Sequence, residues 1–308
     1  MKGGQNVKIL VVGAGAIGGY FGGRLLENGQ DVTFLVRERR KEILEKTGLQ
    51  IESINGNAEL TPRLITVNDS GETFDLILLS TKSYHLAQAI EDVRPFVKND
   101  TTILPLLNGI AHLDQLSEAF GEETIIGGLC FIETTLDDRG TILQKSPSHQ
   151  LIYGERSGER TPRIEKLMEV FNGANASFEL STQITQEMWH KYLFITTLSG
   201  ITSLMESPIG PIMELETGQH TVAAFLEELA AIMRKMGAPI TETITTELFN
   251  TINAMPHDMK SSMQRDLEKS LPLEADHLQG YLLQHAQDIA VPVLETIYTK
   301  LKIYEKNS

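Results

Sequence analysis

The chain has 308 residues, 41% of them apolar and 22% charged, which supplies a large buried core and excludes a disordered chain. At roughly 150 residues per domain its length suggests two domains. Twenty-seven Lys and Arg against 41 Asp and Glu leave a formal net charge of -14, which repels nucleic acid and anionic membrane surfaces, so an anionic ligand must find local cations.

The longest weakly polar stretch near the start, residues 9–23, is broken by small residues and has neither a basic flank nor a cleavage pattern. Neither a signal peptide nor a membrane span is expected there, and the protein is expected to be cytoplasmic. The one cysteine, Cys130, agrees with a reducing compartment, and buried filler is its expected role.

In chain order, the first element is a continuous apolar run, Val7 to Val12, of the buried-strand type. It stops at Gly13-Ala14-Gly15-Ala16-Ile17-Gly18, a Gly-x-Gly-x-x-Gly fingerprint that opens a helix through Leu25 and Leu26. A second strand, Asp31 to Val36, follows Asn28-Gly29 and completes a β-α-β unit. In that context the first glycine permits the tight turn, the second lets a pyrophosphate approach the backbone, and the third brings helix close to strand, so Gly13, Gly15, Ala16, Ile17 and Gly18 are candidate dinucleotide ligands. The second strand ends in Val36-Arg37 rather than in the acidic residue that would hold the ribose hydroxyls of NAD. Arg37 suits a 2'-phosphate and therefore NADP(H), although a strand-end arginine is also compatible with simple solvation. Arg39, Arg40 and Lys41 read as a solvated helix face.

Phe74 to Leu79 is a further buried strand, running into Ser80-Thr81-Lys82, with Lys82 at the carboxyl edge where ligands of open α/β sheets bind. An exposed loop lysine is the alternative. Thr102 to Leu107 is a fourth strand and ends at Asn108-Gly109, where Asn108 is either a ligand or simply a turn residue. Strands are expected over residues 124–133, 140–144, 150–154 and 177–180, and a helix over 162–171. After Ser181 only helical periodicity remains, which puts the domain boundary there: residues 1–180 form an α/β Rossmann domain and 181–308 an all-helical one. In the second, Val222, Phe225, Leu226, Leu229, Ile232, Met233 and Met236 define an amphipathic core helix that stops at Gly237 and Pro239.

The eight histidines show no His-Glu-x-x-His pattern, and no carboxylate triad stands at ligand spacing, so no metal is expected. A Walker loop and a Gly-x-Ser-x-Gly elbow are also missing, which argues against a nucleotide triphosphatase and a hydrolase. Within the helix expected over 185–205, Lys191 stands among Trp189, Tyr192 and Leu193. Desolvation there would make its ammonium an adjustable general acid; the local alternative is a surface ion pair with Glu187, four residues earlier.

The order of these features, with Trp189-x-Lys191, Ser261-Ser262-Met263, Leu273-Glu274 and Gln279-Gly280, resembles the ketopantoate reductases over essentially the whole chain. The resemblance implies a Rossmann domain that binds NADPH and a helical domain that closes the cleft over a 2-oxo acid, with ketopantoate, reduced to pantoate for pantothenate biosynthesis, as the leading substrate. It implies that Lys191 is the general acid and that Glu274 contacts cofactor and substrate and helps hold the lysine. Arg37 and Lys82 would face the 2'-phosphate, Asn108 would serve cofactor and substrate, and Ser262 the substrate. Members of the family often carry asparagines where this chain has Ile195, Ser199 and Ile209, so these three positions are expected to line an altered substrate pocket. A reductase of a more apolar 2-oxo acid and a non-catalytic NADP(H) sensor are the alternatives. A homodimer is compatible with the long helical domain.

Overall fold

Four apolar residues in succession after Lys8 form β1 (Lys8–Val12), and their alternate side chains enter two different cores: Ile9 and Val11 on one face, Leu10 and Val12 on the other. The chain then runs through α1 (Ala16–Glu27), β2 (Asp31–Leu35), α2 (Glu38–Thr47), β3 (Leu49–Ser53), β4 (Ala58–Leu60), β5 (Arg63–Ile65), β6 (Leu76–Leu79), α3 (Leu86–Val93), β7 (Thr102–Pro105), α4 (Ala111–Phe120), β8 (Gly127–Leu136), β9 (Ile142–Gly154), α5 (Pro162–Phe171) and β10 (Ser177–Leu180). The computed structural model describes residues 7–69 and 71–307; residues 1–6 and 308, at the ends of the expected domains, and Ser70 lie outside it. The chain divides into one unit of residues up to Leu107 together with His112–Ile184, and a second of Asn108–Ala111 with Thr185–Ser308.

The first unit is the expected Rossmann arrangement. Its parallel sheet has the order β5-β2-β1-β6-β7, so the strand order reverses between β1 and β6, the position at which such sheets bind ligands beyond their carboxyl ends. A second sheet runs β10-β9-β3-β4, with β8 antiparallel to β9. Helix α1 packs between the two sheets, and glycines let it approach both. A Cβ on Gly22 would stand 2.7 Å from Val11 of the parallel sheet, and one on Gly23 would stand 2.7 Å from Ile51 of the second. On the opposite face of the parallel sheet, Leu86, Ala89, Ile90 and Val93 of α3 and Leu116 of α4 close the other core.

Several expected boundaries shift. The stretches expected as strands over 140–144 and 150–154 belong to one strand, β9, whose pairing with β8 is irregular between Ile132 and Thr134 and leaves Lys145 to Ser148 outside the paired register. Ser146 Oγ accepts the Glu133 N–H there at 2.9 Å. Arg40 is not a freely solvated residue: its guanidinium donates to the Gly140 carbonyl at 3.0 Å, and burial holds its pKa below the ordinary value. Strands β3, β4 and β5 have no counterpart in the sequence reading, because runs of three to five residues carry too little alternation to stand out.

In the second unit the helices are α6 (Ile184–Met205), α7 (Ile209–Met213), α8 (Glu216–Lys235), α9 (Ile244–Asn253), α10 (Ser262–Glu268), α11 (Tyr281–His285) and α12 (Pro292–Asn307), with a π-helical turn over Asp276–Gly280 leading into α11. The expected apolar stripe of α8 is its buried face, and α8 packs against α7, α9, α11 and α12. The buried hydroxyls of α6 are satisfied partly by its own backbone: Thr197 donates to the Leu193 carbonyl at 2.8 Å and Thr202 to that of Leu198 at 2.7 Å. No helix among the described residues is long and apolar enough to cross a membrane.

Candidate functional site

In the Rossmann unit the fingerprint glycines have separate physical tasks. Gly13 has φ +90°, a conformation that β-carbon sterics disfavour, and donates its N–H to the Leu35 carbonyl at 3.0 Å, which turns the chain off β1. A Cβ on Gly18 would lie 2.1 Å from Ser80 Oγ and 2.4 Å from the Gly13 carbonyl, so glycine is the residue that lets α1 seat against the β1 and β6 ends. Gly15 differs: a Cβ built there meets nothing within 4 Å, and the residue caps α1 without any side-chain hydrogen bond. Ala16, Ile17 and Gly18 form the first turn of α1, which holds no acidic residue. A helix start with open approach and positive dipole end accepts an anion, and these features fit a dinucleotide pyrophosphate. The Thr81 hydroxyl beside this turn is buried with no hydrogen-bond partner, a polar atom that a bound cofactor would satisfy.

Arg37 is exposed at the end of β2, as the cap residue of α2. Lys82 is half-buried and caps the short 3-10 turn Ser83–His85 that follows β6. His85 lies within electrostatic reach of Arg37: partial burial, and then the arginine charge, hold its pKa below the ordinary imidazole value. The Tyr84 and His85 rings meet edge-on at 4.7 Å. Sequence reading singled out Arg37 and Lys82 but not His85, for which lone-histidine spacing offered no signal.

Within the helical unit, hydrogen bonds gather three sequence-predicted segments on the π-helical turn. Tyr192, next to Lys191 on α6, is fully buried and donates its hydroxyl to the Leu278 carbonyl at 2.6 Å. Burial, and secondarily Tyr281, raises the Tyr192 pKa well above the ordinary value, so the hydroxyl keeps the proton it donates. His277 Nε2 lies 2.7 Å from the Asn108 carbonyl. Because a carbonyl only accepts, this nitrogen carries a proton. Gly109, at φ +76°, would bring a Cβ to 3.1 Å from Leu278, so the Asn108-Gly109 turn lies directly against the π-helical segment. Glu274 precedes His277 by three residues, and its carbonyl accepts the Leu278 N–H at 3.0 Å. The Asn108, Lys191 and Glu274 segments therefore share one anchor.

Lys191 is 9% exposed and so lies at the buried side of α6, with Glu187 half-buried one turn earlier. Ser199 is buried and its hydroxyl is engaged: it donates to the Thr196 carbonyl at 3.4 Å and accepts from Gln279 Nε2 at 3.1 Å. Ile195 is half-buried and Ile209 is 1% exposed. The two serines of the Ser-Ser-Met motif separate in task. Ser261 caps α10 by accepting the Gln264 N–H and pairs with Thr202 at 2.9 Å, while Ser262 is exposed on the first turn. Tyr192, His277 and Gln279 are contributors whose polar contacts sequence reading missed; their one local signal is that His277 follows Glu274 at helical i+3 spacing. Among the described residues no cluster of three or more His, Cys, Asp or Glu is placed to hold a metal ion.

Comparison with known proteins gives matches along most of the chain. The family model described as ketopantoate reductase PanE/ApbA matches residues 9–158, and that of its C-terminal part matches residues 183–305. The chain is 47% identical over 301 residues to the uncharacterized oxidoreductase YkpB of Bacillus subtilis strain 168, covering 97% of this chain and 99% of that protein. It is 28% identical over 315 residues to the 2-dehydropantoate 2-reductase of Nostoc sp. strain PCC 7120, covering 97% and 95%. Among solved structures it is similar to a 2-dehydropantoate 2-reductase from Geobacter metallireducens GS-15, with TM-score 0.86, 29% identity and coverage of 96% and 99%.

The buried Tyr192 hydroxyl generates a stability prediction. Tyr192→Phe removes the hydroxyl donor from the Leu278 carbonyl and leaves a buried bond unmade; it is expected to cost about 1–3 kcal/mol, read as a lower urea midpoint with unchanged denaturant slope. An unchanged midpoint would mean that this bond does not hold the π-helical turn.

Proposed function

Since the chain belongs to the ketopantoate reductase PanE/ApbA family, a family of NAD(P)-dependent oxidoreductases acting on 2-oxo acids, we propose that it reduces a 2-oxo acid to the 2-hydroxy acid with NADPH, ketopantoate being the leading substrate. The observation that carries this reading is the shared anchoring of the Lys191, Glu274 and Asn108 segments on one π-helical turn. When bound, the reduced nicotinamide supplies the hydride. The Gly13 to Gly18 turn holds the pyrophosphate, and Arg37 with Lys82 meets the 2'-phosphate by charge and hydrogen bonding.

Lys191, a residue only 9% exposed, supplies the proton to the substrate carbonyl oxygen as negative charge develops there. The Glu274 carboxylate orients that ammonium. The Asn108 carboxamide and the exposed Ser262 hydroxyl act as polar ligands of the substrate.

A second reading, reduction of a more apolar 2-oxo acid, is favoured by one observation: the Ser199 hydroxyl is engaged by Gln279 and by its own helix, while Ile195 and Ile209 offer no polar group in place of an amide. A polar substrate group left unpaired beside them would weaken discrimination for a hydroxylated acid. Initial rates of NADPH oxidation with ketopantoate beside 2-oxoisovalerate and phenylpyruvate separate the readings. Preference for ketopantoate supports the first, and preference for either apolar acid supports the second. NADPH binding without turnover of any 2-oxo acid would overturn both and leave a sensor.

Two variants test the assigned roles. Lys191→Ala is expected to lower kcat on the order of a hundredfold or more with NADPH affinity nearly intact, and unchanged kcat would remove Lys191 from the chemistry. Arg37→Ala is expected to weaken NADPH binding by roughly 1–3 kcal/mol with little effect on NADH, measured by titration calorimetry. Equal losses for the two cofactors would contradict the 2'-phosphate contact.

A further inference from the structure

His277 belongs to none of the roles assigned above, yet its ring is the group that the Asn108 main chain rests on. The contact is a 2.7 Å hydrogen bond between Nε2 and the Asn108 carbonyl, joining residues 169 positions apart. The following residue, Gly109, lies so close that a Cβ there would stand 3.4 Å from the imidazole carbon and nitrogen nearest it. Hydrogen bond and van der Waals contact therefore act on the same two-residue turn, one fixing the direction of the carbonyl and the other its distance from the helix. With the Asn108 carbonyl held and Gly109 in a left-handed conformation, the Asn108 side chain leaves the backbone in a defined direction.

The π-helical geometry accounts for the ring's position. A π-helical turn widens the backbone locally and interrupts the ordinary i to i-4 ladder, and such turns recur at functional sites. Here the segment Asp276–Gly280 is held on three sides by groups from elsewhere in the unit: Tyr192 on the Leu278 carbonyl, Gln279 on the Thr196 carbonyl and the Ser199 hydroxyl, and His277 on Asn108. Burial holds the His277 pKa below the ordinary imidazole value, against the opposing pull of Glu274 and of the Asn108 bond. Because the Asn108 carbonyl only accepts, the proton of this bond is on Nε2.

We propose that His277 is a positioning residue: its Nε2–H clamps the Asn108 main-chain carbonyl and thereby sets the Asn108 carboxamide in register with Glu274, which stands one helical turn before His277. The inference rests on the reading of Asn108 as a substrate ligand. It is distinct from a packing role, because an aromatic ring of the same shape without the N–H would pack as well and position nothing.

The test uses the full-length protein with NADPH and ketopantoate, with 2-oxoisovalerate in parallel. His277→Phe keeps the ring and removes the donor; it is expected to raise the KM for the 2-oxo acid about tenfold while leaving kcat within about twofold. His277→Gln, whose side-chain amide offers an N–H in the same direction, is expected to recover most of that loss. Long-range 15N–1H spectra of the histidine-labelled protein at pH 7 read the bond without turnover and are expected to show His277 as the Nε2–H tautomer. A folded His277→Phe with wild-type KM overturns the inference, as does a ring found in the Nδ1–H form. If the wild-type protein reduces neither acid nor any other in the panel, the functional reading fails instead, a result distinguishable from an active enzyme indifferent to position 277.

Discussion

The π-helical turn at Asp276–Gly280 is the constraint on which the candidate site depends. The interior of an α-helix closes its own backbone ladder, whereas a π-helical turn interrupts that ladder and leaves displaced groups to find partners elsewhere. Here the pairing is done by Tyr192 from the helix that carries Lys191, and the turn in return carries the His277 ring that holds Asn108. The arrangement ties the Asn108 and Lys191 segments, distant along the chain, to one short turn that follows Glu274 directly. Pre-organisation of this kind is what proton transfer requires, since a donor misplaced by about 1 Å can lose on the order of a hundredfold in rate.

Charge tells a complementary story. A chain of net charge -14 offers a poor general environment for an anionic cofactor and an anionic substrate, so binding must come from built features. On the proposed reading those features are, in the Rossmann unit, an open helix start at Gly15, an unpartnered Thr81 hydroxyl, and Arg37 and Lys82 at the carboxyl edge. Gly15 and Gly18 show how two glycines of one motif differ physically. A Cβ at Gly18 would collide with the fold, whereas at Gly15 it would project into open space.

The parts of the fold legible in the sequence are those where local chemistry decides. The buried run before Gly13, the glycine turn and the apolar stripe of α8 are patterns of neighbouring residues, and periodicity captures them. The three-residue strands β4 and β5 were not legible, because their pairing comes from tertiary partners rather than from alternation. The same division runs through the site. Asn108, Lys191 and Glu274 were reached by resemblance, and local reading of Lys191 left a desolvated acid and an ion pair with Glu187 both open, because the burial of Lys191 is a property of the packed unit and not of the helix. Tyr192 and His277 were missed for a related reason: their bonds span 86 and 169 residues, and no local motif encodes such a contact. The hydroxyl of Ser199 was legible as a polar position, but its engagement by Gln279 was not.

The central claim is that Lys191 and Glu274 work as one unit in proton delivery, and a double-mutant cycle in kcat/KM tests it most directly. Lys191→Ala, Glu274→Gln and the double variant are compared by initial-rate NADPH oxidation with the preferred 2-oxo acid. Residues that act as a unit give strongly non-additive losses, so the double variant is predicted to be about as slow as the slower single variant. If the two losses multiply, the groups act independently and the shared anchor has no catalytic meaning.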